Sequence, residues 1–338
     1  MLVFAAATGP GCLVSRQVNL GVSDRAARGE LSRGTIVFCM EDGVYLAKGD
    51  GSGARRLVAR SELGRNAAAF LPAIDTSPIS AATAHLLFLS VQDLDVREST
   101  GRDLALNVLQ LAGPLEPGAA ILSWRRARLE KIAPPGPDGR QEIFAAAGAA
   151  WSRDGRRIAL GLNRPAPAGG DAVMLFDAEA RPLSQYDLGG RDLARVSSLS
   201  WANENTALVL GLEGEADSPG VVSRLELPAA GAAGSGARLT DIAPGRFPAL
   251  SPDGGRIVVV GEVNGQQSLV LLDMSGGMIS RFERPAGRAL TRPFWSPDGR
   301  YLYYYSLAST GPLGLVEITI LRCFDIRTHQ VYDLLRLG

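Results

Sequence analysis

The residues of this chain best equipped for chemistry are two histidines (His85, His329), three cysteines (Cys12, Cys39, Cys323) and a set of aspartates that return at regular intervals. Two histidines cannot assemble a three-histidine metal centre, and no two cysteines stand at the C-x-x-C spacing. Zinc knuckles, iron–sulfur clusters and thioredoxin-type redox sites therefore lack ligands. The chain also has no GxxxxGK[ST] phosphate loop, no GxSxG nucleophile elbow, no HExxH zinc helix and no EF-hand loop. Its glycine clusters, Gly49 to Gly53 and Gly231 to Gly236, lack the strand before and helix after that a phosphate cradle requires, so they read as a hairpin turn and a loop. The aspartates are what remain. Channel-facing acids in sufficient number would make a calcium site, the one catalytic chemistry the composition leaves open.

The spacing of those aspartates decides how they are read. Trp151-Ser152-Arg153-Asp154-Gly155 recurs as Leu250-Ser251-Pro252-Asp253-Gly254 and as Trp295-Ser296-Pro297-Asp298-Gly299, with a degenerate copy beginning at Trp201. The anchors at 151, 201, 250 and 295 fall 50, 49 and 45 residues apart. In the copies at 250 and 295 Pro presets the first turn position, where the copy at 151 has Arg153; in all three intact copies Asp bonds its own turn backbone and Gly takes the positive φ. Asp154, Gly155, Asp253, Gly254, Asp298 and Gly299 are thus expected to be structural turn residues. The apolar run after each turn, such as Ile257 to Val260, is continuous instead of alternating, the mark of a strand covered on both faces. A second acid closes a later strand in each unit, at Asp177, Asp273 and Asp325, with Glu226 in the degenerate unit, and reads as another turn cap.

Each unit therefore holds four antiparallel strands, near 246–251, 256–261, 267–273 and 278–283 in the clearest case. Four strands per unit at this period make the blade of a β-propeller. The repeat resembles the Ser-Pro-Asp-Gly motif of the TolB-like propellers, specifically over 145–338 and more weakly over 30–145. The resemblance implies an all-β, six-bladed propeller of four-stranded blades, with seven as the alternative count. Upstream blades are expected from Phe70 to Ile74, His85 to Ser90, Ala105 to Leu111 and Arg128 to Ala133. Before these come Thr35 to Cys39, Val44 to Lys48 and Arg56 to Ala59, with Val18 to Val22 as the inner strand. Residues 17–338 read as a single domain. Cys39 and Cys323, in strands of the first and last units, read as buried thiols, a closing disulfide being the alternative.

Residues 1–16 read as an amino-terminal tail. Met1 to Cys12 ends in small residues before a cysteine, resembling the end of a bacterial lipoprotein signal in which Cys12 is lipidated, although it lacks a basic start and a full-length apolar stretch. Thirty-five basic residues balance 35 acidic ones, so the chain offers no net basic footprint to nucleic acid. What the TolB-like resemblance implies is a non-catalytic, cofactor-free scaffold that binds another protein on the periplasmic side of the cell envelope. It would be an accessory subunit of a membrane-associated complex, although no separate α/β domain of the TolB type is visible. The alternative is a sugar or lactone enzyme or sensor with a channel-bound calcium ion. The candidate partner contacts are Arg292, placed in an inner strand, and Trp124, Arg125 and Arg126 in a basic run. The stretch 91–147, rich in Pro and Gly around Pro134 to Pro137, is a candidate contact element.

Overall fold

The computed structural model describes residues 2–6, 18–19, 29–31, 33–40, 43–63, 67–76, 83–93, 102–113, 118–129, 145–163, 171–188, 195–202, 205–213, 220–228, 237–263, 266–282, 289–310 and 316–337. The chain opens with β1 (Leu2–Ala6), β2 (Val18–Asn19), β3 (Thr35–Met40), β4 (Gly43–Lys48) and β5 (Arg55–Ala59). Blade 1 is the sheet β1-β3-β4-β5. Blade 2 follows with β6 (Ala67–Thr76), β7 (Thr83–Asp93), β8 (Arg102–Ala112) and β9 (Ile121–Arg128). Blade 3 holds β10 (Ala145–Trp151), β11 (Arg157–Asn163), β12 (Ala172–Asp177) and β13 (Pro182–Asp187). Blade 4 holds β14 (Arg195–Trp201), β15 (Ala207–Glu213), β16 (Val221–Glu226) and β17 (Arg238–Pro244). Blade 5 holds β18 (Arg246–Leu250), β19 (Arg256–Val263), β20 (Gln266–Asp273) and β21 (Met278–Phe282). Blade 6 holds β22 (Ala289–Trp295), β23 (Tyr301–Thr310), β24 (Val316–Asp325) and β25 (Gln330–Leu337), with β2 added outside β25. The fold is a six-bladed β-propeller.

Two compact units divide the blades. One comprises residues 1–59, 115–119 and 247–338 and the other residues 60–114 and 120–246, so each contains three blades. Within the second unit the first strands β6, β10 and β14 lie against one another. The first strand of a blade is therefore its inner edge and the fourth its outer edge. The second and third strands are continuously apolar because both their faces are covered: Ile158 to Leu162, Leu208 to Leu212 and Ile257 to Val260 are buried. Leu87 and Leu106 of blade 2 pack with Trp151 and Leu160 of blade 3, and Val173 and Leu175 of blade 3 pack with Trp201 and Leu210 of blade 4. In the other unit Ile36 and Phe38 of blade 1 pack with Tyr303, Leu321 and Cys323 of blade 6.

Two sequence expectations need correcting. Val18–Asn19 is not the inner strand of blade 1; it pairs antiparallel with β25, opposite Arg336 and Leu335. The inner position is held by β1, which runs parallel to β3, a pairing for which no hairpin is needed and which a local sequence pattern does not announce. The fourth strand of blade 2 is β9, Ile121–Arg128, instead of Arg128 to Ala133, because β8 extends to Ala112 and the hairpin closes through Ala112 N–H on the Ala120 carbonyl. The stretch 91–147 thus contains two blade strands; Pro134 to Pro137 lie outside the described residues. Cys323 is a free thiol buried between blades 1 and 6, as expected of it, and the alternative of a closing disulfide falls.

Candidate functional site

The turn aspartates bond the serines of their own hairpins through one carboxylate oxygen each. Ser152 Oγ donates to Asp154 Oδ1 at 2.6 Å and accepts the Arg157 N–H at 2.8 Å, while the same carboxylate accepts the Arg156 N–H at 3.1 Å. Ser251 with Asp253 and Ser296 with Asp298 repeat the arrangement, with the Gly255 and Arg300 N–H groups on the carboxylates. The hydroxyl of Ser251, and then the N–H of Gly255, hold Asp253 below the usual carboxylate range. Gly155, Gly254 and Gly299 take φ of 67°, 71° and 69°. Asp177, Asp273 and Asp325 each accept the N–H two residues on, at 3.0, 2.8 and 2.8 Å. No group of three His, Cys, Asp or Glu side chains among the described residues is placed to hold a metal ion.

Backbone strain marks a different place. Among the described residues, five that are not glycine have positive φ: Ala180, Asn205, Phe247, Arg292 and His329. Three of them stand in hairpin turns. Ala180 follows Asp177 by three residues as Gly276 follows Asp273, Asn205 stands in the degenerate repeat turn, and His329 closes the turn begun by Asp325, donating its N–H to the Asp325 carbonyl. Phe247 (φ 52°) and Arg292 (φ 48°) lie instead inside strands β18 and β22. Both are inner-edge residues, both stand three before a repeat anchor (Leu250, Trp295), and both precede proline. A residue before proline is pushed toward extended backbone, so a bulky side chain at positive φ there is strained twice over. The corresponding positions in blades 3 and 4, Gly148 and Ser198, sit beside one-residue register shifts yet need no positive φ. The repeat itself does not demand the strain. Across the two inner edges the Arg292 guanidinium lies 5.8 Å from the Phe247 ring centroid.

The basic run occupies an outer edge. Trp124 Nε1 donates to Asn107 Oδ1 at 3.1 Å and its ring lies 6.3 Å from Phe88, while Arg126 Nη1 donates to the Leu63 carbonyl at 2.9 Å. Arg125 and Arg128 are exposed. Arg125 and Arg126 alternate along β9, so Arg126 serves packing while Arg125 faces outward. Arg292 and Phe247 lie in one unit and Trp124 to Arg126 in the other, so the candidates fall into two separate groups. Cys12 lies outside the described residues. Sequence reasoning passed over Phe247; the signal available was its alignment with Arg292, three residues before the anchor and one before a proline.

His85 is half-buried, its ring 6.0 Å from that of Trp151. Burial lowers its pKa, against a smaller opposing pull from Glu179. The neutral ring is the form the fold accommodates, so the unfolded chain binds protons more readily and stability falls as pH drops through the unfolded value near ~6.5. His85→Gln is expected to flatten this loss between about pH 7 and pH 5. Urea unfolding at the two pH values checks it; an unchanged slope in the variant contradicts it.

No family model and no curated protein matches this sequence. Solved structures match the fold. TolB from Acinetobacter baumannii is similar with a TM-score of 0.55 at 13% identity, over 91% of this chain and 64% of that one. A chain of the nidogen/laminin complex is similar with a TM-score of 0.54 at 9% identity, over 88% and 91%. The apocarotenoid oxygenase of Synechocystis has a TM-score of 0.53 at 10% identity, over 88% and about two thirds, 67%. This chain therefore spans less than two thirds of the TolB chain it matches. The fold is the TolB-like six-bladed propeller. Likeness at these identities shows fold alone, and that fold serves both an enzyme and proteins of assemblies. No helix among the described residues is long and apolar enough to cross a membrane.

Proposed function

We propose that this propeller is a non-catalytic scaffold that binds another protein through the inner edges of blades 5 and 6. The observation that carries the reading is the pair Phe247 and Arg292, held at positive φ inside strands with the guanidinium over the ring. Each such conformation costs on the order of 1–3 kcal/mol and persists where a site needs the side chain it aims. A cation and an aromatic ring, supplied from the same position of two neighbouring blades, suit a carboxylate on a protruding partner segment. The TolB and nidogen/laminin neighbours support a binding role by analogy of fold. On the same reading residues 17–338 fold as one domain, the protein serves a bacterial envelope complex on the periplasmic side, and Cys12 is the point of lipid attachment.

The test uses the strain itself. Arg292→Gly removes a backbone cost of about 1–2 kcal/mol and adds about 0.5–1 kcal/mol of chain entropy, so stability is expected to hold or rise slightly. Capture of the partner from crosslinked cells by a carboxy-terminally tagged protein is expected to be lost in the same variant. A variant that unfolds more easily yet still captures the partner would contradict the reading.

A further inference from the structure

The fourth strand of every blade carries a one-residue bulge, and in every blade the bulged residue is a large aliphatic. Where β5 pairs with β4 the register skips Leu57; in β9 it skips Leu122, in β13 Leu183, in β17 Ile242, in β21 Ile279 and in β25 Leu334. Their surroundings differ. Leu334 is fully buried and Leu57 and Ile242 are half-buried, but Leu122, Leu183 and Ile279 are 57%, 55% and 53% exposed. Exposure is thus a property of particular blades and not of the repeat. Natural edge strands are usually guarded against further pairing. Three of these edges instead present an aliphatic side chain at the point where the strand bends outward.

Among the three, β9 has a distinctive charge. The segment Ile121 to Arg128 contains three arginines and no acid, in a chain whose charges balance overall. β13 ends in Asp187, and β21 has a single, half-buried arginine, Arg281. Along β9 the exposed residues run from apolar Ile121 and Leu122 to basic Arg125 and Arg128. The strand is held firmly from behind: Trp124 bonds Asn107, and the Asn107 amide donates to Ser90 Oγ at 2.9 Å and to the Ala105 carbonyl at 3.2 Å. Outer edges of this fold do accept another strand, since β2 pairs antiparallel with β25 at the outer edge of blade 6.

We infer that the outer edge of blade 2 is a strand-addition site for an extended acidic segment of a partner protein. The partner strand hydrogen-bonds along the side of β9 turned away from β8, places apolar side chains on Ile121 and Leu122, and sets carboxylates against Arg125 and Arg128. Charge complementarity selects the occupant, and the backbone ladder supplies a sequence-tolerant part of the affinity. The inference deepens the reading of the protein as a binder of proteins and rests on it, while using a surface in the other unit from Arg292.

The experiment uses the full chain and a fluorescein-labelled octapeptide that alternates glutamate and valine and ends in two leucines. Fluorescence anisotropy is expected to show saturable binding that weakens as salt is raised from 50 to ~200 mM, as contacts between exposed charges do. Hydrogen exchange is expected to slow by at least about tenfold at amides of residues 121–128 on peptide addition, since newly paired amides exchange only on opening. Arg125→Glu is expected to weaken binding by about tenfold or more, and Leu122→Asp to do likewise, with unfolding midpoints unchanged. Binding without protection of 121–128, binding unaffected by the charge reversal, or equal binding of a lysine–valine peptide each overturns the inference. If the charge-reversed protein still captures its cellular partner while Arg292→Gly does not, the outer-edge site falls and the inner-edge function stands.

Discussion

Trp201→Ala and Trp295→Ala are each expected to lower stability by about 4 kcal/mol, which for a chain of this size lowers Tm by roughly 8 °C. Both side chains are buried, and both tie a blade to the one before it. Trp201 Nε1 donates to the Ala150 carbonyl of blade 3 at 2.9 Å, and Trp295 Nε1 donates to the Ala249 carbonyl of blade 5 at 3.0 Å. From the preceding blade an arginine covers each ring: Arg157 lies 4.8 Å from the centroid of Trp201, and Arg256 lies 5.3 Å from that of Trp295. The two arginines occupy the same position, five residues after the repeat serine. Removing an indole opens a cavity between two sheets, leaves a buried carbonyl without its donor and uncovers the arginine. Trp201→Phe keeps most of the packing and loses the donor, so about 1–2 kcal/mol is expected. Chemical denaturation measures all three. A phenylalanine variant as stable as the parent would show that the inter-blade hydrogen bond contributes nothing.

Arg300→Met is expected to cost about 3 kcal/mol, because it strands a carboxylate with almost no access to water. Asp325 is only 1% exposed, and Arg300 Nη2 and Nε donate to its Oδ2 at 2.7 and 3.2 Å. The Arg327 and Thr328 N–H groups take the other oxygen. Arg300 also pairs with Glu30, to which Tyr301 donates its hydroxyl proton at 2.9 Å, so the loss is felt at the segment leading into β3. Burial pushes the Asp325 pKa up, but Arg300 and the two backbone donors outweigh it and hold the carboxyl below its usual value. A depressed carboxyl stabilises the fold above its unfolded pKa, near ~3.9, and that stability is lost as pH falls through the lower folded value. In Arg300→Met burial acts with weaker opposition, so acid unfolding is expected to begin at higher pH than in the parent. Arg300→Met combined with Asp325→Asn is expected to recover much of the loss, since the buried charge is gone. If the single variant is as stable as the parent and unfolds at the same acid pH, the ion pair is not the clasp described.

Much of this was readable in the residues, for a physical reason. A Ser-Pro-Asp-Gly hairpin is local: its hydroxyl, carboxylate and glycine act within six residues, so turn chemistry writes itself into the sequence, and doubly covered strands write themselves as apolar runs. Blade 5 follows the expected strands within a few residues at each end. What escaped was non-local. The parallel pairing of β1 with β3 and the pairing of β2 with β25 join segments with no turn between them, and nothing in Val18 to Val22 distinguishes an inner from an outer strand. The misplaced fourth strand of blade 2 arose because a bulge at Leu122 and a hairpin without the repeat motif hide the alternation. The same holds for the candidate site: Arg292 was visible as a basic residue on an inner strand. Phe247 became visible only when both backbones proved to bend to positive φ at one repeat position. The aliphatic at each outer-strand bulge was hidden too, because a bulge is a property of register.

The central claim is that the inner edges of blades 5 and 6 receive a protein. The measurement that tests it most directly is photo-crosslinking in living cells from benzoylphenylalanine placed at position 247, where an aromatic ring already stands. The predicted result is one or two discrete protein adducts, identified by mass spectrometry and lost when Arg292→Gly is added. Absence of any adduct from position 247, under conditions where the tagged protein is folded and abundant, would contradict the account.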